Sequence, residues 1–247
     1  MGTPTLYQWP PALGTESIYP RCVVFQRIGN IAKQEIKVVN VKIPQAGPDF
    51  PKELVNRLAK LPILEADQVK YHTSSEILEY LITKDPSRAT KAKLVKLFSA
   101  HSFIVQQWAN ESFVDTLVYA RWKRTENFER FVKNVKWDRP LSQMSEEIKS
   151  LRNEILRYLR RTPVGSLNDE NYKDLFKKQL WSLNHILSGQ EFLEPMVPYP
   201  TMTDLNTFMV VQGLLSPDLE EAEWIKENYQ EVFRWAKQVD TLTSMKL

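Results

Sequence analysis

Residues 60–81 decide the fold. They read Lys60-Leu61-Pro62-Ile63-Leu64-Glu65-Ala66-Asp67-Gln68-Val69-Lys70-Tyr71-His72-Thr73-Ser74-Ser75-Glu76-Ile77-Leu78-Glu79-Tyr80-Leu81. A short apolar strand carries a proline inside it. A turn at Ala66-Asp67-Gln68 follows, then a second short strand and a Thr-Ser-Ser-Glu helix start. Proline cannot donate to a sheet ladder, so within a strand it marks an edge, a bulge or a cis bond. A cis Leu61–Pro62 peptide on the cleft side of the sheet is therefore expected. The hydroxyl-rich helix start offers free N–H groups and the positive end of a dipole, which together favour a carboxylate. Thr73 at the N-cap and Glu76 make a capping box. An open edge followed by an anion-binding helix start suits a small peptide with a free carboxylate.

Working outward, the first eighty-odd residues alternate in type. Thr5 to Trp9 reads as a strand, and Arg21 to Ile28 as an amphipathic helix ended near Gly29-Asn30. Glu35 to Ile43 has the alternation of a half-buried strand, and Pro51 to Ala59 reads as a second helix. The order β-α-β-α-β-β-α is the thioredoxin-like arrangement. Asp85-Pro86-Ser87 then breaks the pattern, and beyond it no strand is evident. Ala89 to Glu111, Glu111 to Arg124 and Met144 to Arg161 have helical spacing. Asn168 to Leu187 sets Tyr172, Leu175, Phe176, Leu180, Leu183 and Leu187 on one stripe, and Pro217 to Val239 reads as one more helix. Two units are expected: an α/β domain over 1–84 and an all-α domain over 88–247.

The segment around Pro62 resembles the glutathione site of the glutathione transferase superfamily, whose pattern is roughly "PvL…eS…I..YL". The resemblance implies that Leu61, before a cis Pro62, pairs its backbone with the cysteinyl part of glutathione. It implies that Ser74 holds the γ-glutamyl carboxylate. The family usually has Glu, Gln or Asp where this chain has Thr73. A second motif, Pro200-Thr201-Met202-Thr203-Asp204-Leu205, resembles the superfamily's "PT.AD", with Thr203 for the usual alanine. Thr201 and Asp204 form its capping box. The two motifs stand in the right order and imply a thioredoxin-like domain followed by an all-helical one.

Composition agrees with a soluble globular protein. The chain has 247 residues, 43% apolar and 26% charged, enough for one large or two modest domains. A net charge of +3 is too small to argue for nucleic acid. Arg152, Arg157, Arg160 and Arg161 alternate with Glu146, Glu147 and Glu154, as on a solvated helix face. The single cysteine, Cys22, excludes a disulfide framework or a thiolate metal cluster. His72, His101 and His185 lack ligand spacing, so no metal is expected. Met1-Gly2-Thr3-Pro4-Thr5 does not read as a signal peptide. Apolar stretches such as Phe208 to Leu215 fall short of the roughly 20 residues of a membrane span. A cytoplasmic protein is expected.

A transferase of this kind activates glutathione's thiol with a hydroxyl or thiol near the end of the first strand or the start of the first helix. The tyrosine classes imply Tyr7, with Gln8 an equal match. The serine and cysteine classes imply Ser17 or Thr15. Cys22, about a turn into the helix, reads as a buried small apolar residue. Arg21 is a candidate for glutathione's glycyl carboxylate. Trp108, Tyr119 and Trp122 either line a pocket for a hydrophobic electrophile or fill the helical core. Superfamily members usually form homodimers across the two domains. Scattered positions, Trp108 to Ser112, Leu117 to Trp122 and Gln26 to Gly29, are similar to the metaxin and failed-axon-connections branch. That likeness implies a rival reading, a non-catalytic interaction module.

Overall fold

A computed structural model describes residues 2–9, 11, 17, 20–41, 61–84, 100–135, 137, 139–195 and 197–244. The expected helix over 51–59, Thr15 and the boundary between the two domains lie outside them. Strands β1 (Thr5–Gln8), β2 (Lys37–Asn40), β3 (Ile63–Ala66) and β4 (Val69–Tyr71) form one sheet in the order β2-β1-β3-β4. β1 runs parallel to β2 and antiparallel to β3, and β3 pairs antiparallel with β4. Asp67 and Gln68 both have positive φ, 50° and 66°, the turn geometry that matches the twist of a two-residue hairpin. β2 begins at Lys37, two residues later than the alternation from Glu35 suggests, and it sits at the sheet edge with Val38 exposed.

Helix α1 (Pro20–Ile31) runs through Gly29 and does not stop there. The glycine serves packing: a Cβ added to it would stand 2.3 Å from the Ile36 side chain. The chain turns out of the helix at Lys33, whose φ is 54°. α2 (Ser74–Thr83) follows β4, and Lys84 at its end pairs with Asp67 of the hairpin at 3.0 Å. Leu6 and Leu64 of the sheet and Val23, Ile28, Ile77 and Leu81 of these helices are all fully buried together.

The rest is helical. α3 (Ala100–Trp108) and α4 (Val114–Val118) belong to one run, interrupted by π-helical turns at Ala109–Phe113 and Tyr119–Lys123. α5 (Thr125–Asn134), α6 (Leu141–Leu159), α7 (Asp169–Ile186) and α8 (Met202–Leu214) follow. α8 is buried on every side, with Leu205, Phe208, Met209, Val210, Val211 and Leu214 at most 3% exposed, as an all-round apolar helix must be. The segment from Pro217 to Val239 divides into α9 (Glu221–Asn228) and α10 (Gln230–Ser244). A side chain from elsewhere makes the break: Asn184 Oδ1, on α7, accepts from the N–H groups of Glu231 and Val232 at 3.1 and 3.4 Å. Sheet domain and helical domain share one core. Arg27 of α1 bridges them, 2.8 Å from Asp240 of α10 and over the Phe208 ring of α8.

Candidate functional site

The Leu61–Pro62 peptide is cis and leads directly into β3. Leu61 is buried in one apolar cluster that also holds Trp9 and Cys22 and, from the helical segment, Trp122, Phe128 and Phe131. In the sheet Tyr7 opposes Ile63 and Leu64 opposes Tyr71, so the cis peptide precedes the Ile63 end of β3 and α2 begins three residues after the Tyr71 end of β4.

That helix start is built as the sequence suggests. Thr73 Oγ1 accepts from Glu76 N at 3.2 Å, and Glu76 Oε2 accepts from Thr73 N and His72 N at 2.9 and 3.0 Å. These N–H donors hold the Glu76 carboxyl below its usual range, Thr73's foremost. Ser74 and Ser75 are exposed on the first turn, where the helix supplies no acceptor for their N–H groups. Arg21 is exposed near the start of α1.

The hydroxyl candidates differ. Tyr7 is half-buried on the sheet face opposite Leu6 and Gln8. Its hydroxyl donates to Glu65 on β3, and the hydrogen bond and that charge raise its pKa above the ordinary tyrosine value. Ser17 is 3% exposed, and its Oγ donates to Trp9 O at 2.9 Å. It lies against the Cys22 thiol, which burial pushes up to about 11. Cys22 is fully buried and stays a thiol.

No protein-family model and no curated protein matches the chain. Solved structures do. A glutathione S-transferase III in apo form is 15% identical, with 97% of this chain and 92% of that one covered and a TM-score of 0.54. The GST-like domain of elongation factor 1-gamma from Saccharomyces cerevisiae is 16% identical over 98% and 90%, with a TM-score of 0.52. The beta-etherase LigF from Sphingobium sp. strain SYK-6 is 20% identical over 97% and 95%, with a TM-score of 0.54. The chain has the glutathione transferase fold.

Within that glutathione transferase fold, the aromatics read as possible pocket lining are packed away. Tyr119 is fully buried and stacks on Tyr172 with centroids 4.2 Å apart, its hydroxyl donating to Leu167 O and Asp169. Trp108 stacks on Phe113 at 4.5 Å. Trp122 is 6% exposed among Phe128 and Phe131. Tyr119 and Trp122 fill the helical core, and Trp108 packs half-buried against it. Sequence reasoning named Gln8 only as an alternative to Tyr7. Gln8 is 1% exposed, donates to Asn40 Oδ1 at 3.1 Å and accepts from Gln26. This chain of amides ties β1, β2 and α1 together, and adjacent β-strand ends with amide residues were its sequence signal.

Proposed function

We propose that the protein binds glutathione through Leu61 and Ser74 and presents its thiolate to a hydrophobic electrophile. The cis Leu61–Pro62 peptide at the head of β3, followed by the capped start of α2, carries this reading. The γ-glutamyl carboxylate is to accept from Ser74 and the first helical N–H groups, with the dipole adding to the attraction. The backbone at Leu61 is to pair with the cysteinyl unit, with Pro62 shaping that edge and Thr73 fixing the cap. Arg21 answers the glycyl carboxylate. A charge-assisted hydrogen bond contributes about 1.5–3 kcal/mol, so Ser74→Ala should weaken glutathione binding roughly tenfold or more. Calorimetry tests this, and absence of wild-type binding at millimolar glutathione would end the proposal.

For the thiol, Ser17 and Tyr7 remain the hydroxyls to compare. Tyr7 spends its proton on Glu65, so we favour Ser17, which must turn from the Trp9 carbonyl to meet the sulfur. Ultraviolet titration of bound thiolate should place the pKa of Ser17→Ala about one unit above wild type, with Tyr7→Phe unchanged. If neither variant moves it, both assignments fall. A second reading has its own observation: both hydroxyls already donate within the protein. If wild type holds no thiolate at neutral pH, the chain is a glutathione-binding interaction module. In either case we propose a cytoplasmic homodimer, which sedimentation should report at twice the 28.9 kDa chain mass; a monomer at micromolar concentration rejects it.

A further inference from the structure

Arg27 and Asn30 stand one turn apart on α1, and Asp240 and Thr243 stand one turn apart near the end of α10, so each pair shares a helix face. The two faces meet. Arg27 Nη2 contacts Asp240 Oδ1 at 2.8 Å, and its Nη1 donates to Asp240 O at 3.3 Å and Thr243 Oγ1 at 3.4 Å. Asn30 Nδ2 donates to Thr243 O at 3.0 Å, and Thr243 Oγ1 donates back to Val239 O at 2.8 Å. The Arg27 side chain is 3% exposed and lies over the Phe208 ring of α8, whereas the Asp240 side chain is 49% exposed.

Taken by itself, α10 ends badly. The last carbonyls of a helix find no donor within it, and the negative C-terminal end of the dipole favours cations over acids. The last turn of α10 holds no basic residue, and Asp240 stands just before it. Helix α1 meets both deficits. Asn30 caps Thr243 O, one of the carbonyls without a helical donor, and the Arg27 guanidinium brings the positive charge. The dependence runs the other way as well. A guanidinium taken out of water needs a carboxylate beside it, and Asp240 supplies one from the half-exposed end of the last helix.

We propose that α1 and the end of α10 form a reciprocal latch between the sheet side of the molecule and its helical side. The last turn of α10 keeps its helical order only while α1 is docked, and α1 keeps its full protection only while that turn is formed. Opening of the turn therefore loosens α1 before the helical core unfolds, the kind of local opening that helix ends undergo. Gln26, next to Arg27, is bonded to Gln8 at the end of β1, so the latch acts one hydrogen bond away from the sheet. None of the latch residues is proposed to hold glutathione, and the inference is independent of that reading.

Hydrogen exchange of the full chain, read by mass spectrometry, tests the latch with Asp240→Ala. The substitution puts the best helix former in place of a poor one and removes an acid from the negative end of the helix. A helix that ended independently would then exchange more slowly over 237–244. The latch predicts the reverse: amides of 237–244, and those of α1 over 23–31, should exchange about fivefold faster or more, with α7 unchanged. Asn30→Ala, made on the opposite side, should accelerate 237–244 by a similar factor. Asp240→Glu keeps the charge and should stay within about twofold of wild type over both segments. Slower or unchanged exchange over 237–244 in Asp240→Ala overturns the proposal. So does acceleration confined to α10, because α1 is then uncoupled from it. Equal acceleration in α7 also overturns it, since the contact would then belong to the global core.

Discussion

Asp204→Ala is expected to lower the free energy of unfolding by about 3–5 kcal/mol. Asp204 is fully buried, and its carboxylate accepts four hydrogen bonds. Oδ1 takes Leu193 N at 2.8 Å and Trp235 Nε1 at 2.9 Å; Oδ2 takes Thr201 N at 2.9 Å and Thr201 Oγ1 at 2.8 Å. Burial pushes its pKa upward although all four donors favour the charged form. Removing it strands the Leu193 and Trp235 N–H groups in the core, and a buried donor without an acceptor costs about 1–3 kcal/mol. Loss of the α8 cap adds about 1 kcal/mol. Asp204→Asn keeps one oxygen acceptor and should cost clearly less. Urea unfolding of both variants is the measurement; a loss under about 1 kcal/mol for Asp204→Ala would contradict the hub role, because total stabilities are only about 5–15 kcal/mol.

This residue also marks how far the sequence was legible. Thr201 and Asp204 were readable as a local capping box because their partners are three residues apart. The other two bonds, to Leu193 and Trp235, join a loop and the last helix, and no local pattern announces them. The same division runs through the fold. β1, β3, β4 and the start of α2 follow from alternation, turn residues and the Thr73–Glu76 box, all short-range signals. The division of residues 217–239 into two helices involves Asn184, 47 positions before Glu231. Gly29 looked like a helix stop and is instead a contact with Ile36.

At the candidate site, the residue types were legible and their commitments were not. Leu61, Pro62, Thr73 and Ser74 lie in one quoted run, and Trp9 joins Leu61 in one buried cluster. That Tyr7 would point at Glu65 follows from strand facing: in a strand, neighbouring side chains alternate between faces. With Leu6 and Gln8 turned to the α1 side, Tyr7 shares a face with Glu65. The sequence contains that alternation, but only the pairing of β1 with β3 says which carboxylate meets the hydroxyl. For Trp108, Tyr119 and Trp122 the spacing favoured a core over a pocket, and the packing puts Tyr119 and Trp122 in the core with Trp108 half-buried against it.

A comparably large effect is expected from a pair that no motif announced. Arg121 and Asp218 are 3% and 0% exposed, with Nε and Oδ2 3.6 Å apart. Arg121 also donates to Gly213 O at 3.1 Å and lies over the Phe131 ring. Asp218 accepts from Ser216 as well. Burial lowers the Arg121 pKa, opposed by the Asp218 charge, so Asp218 offsets the cost of keeping a guanidinium in the core. Asp218→Ala should therefore destabilise the protein by about 3–5 kcal/mol, the cost of leaving one partner of a buried pair unanswered. Arg121→Met combined with Asp218→Leu removes both charges at similar volume and should recover most of that loss, since apolar replacements of buried pairs are often neutral. Urea denaturation of the single and double variants gives the comparison. A double variant as unstable as Asp218→Ala would mean that the carboxylate's bond to Ser216 and the guanidinium's to Gly213, rather than charge pairing, hold α4 and its following turn against α8.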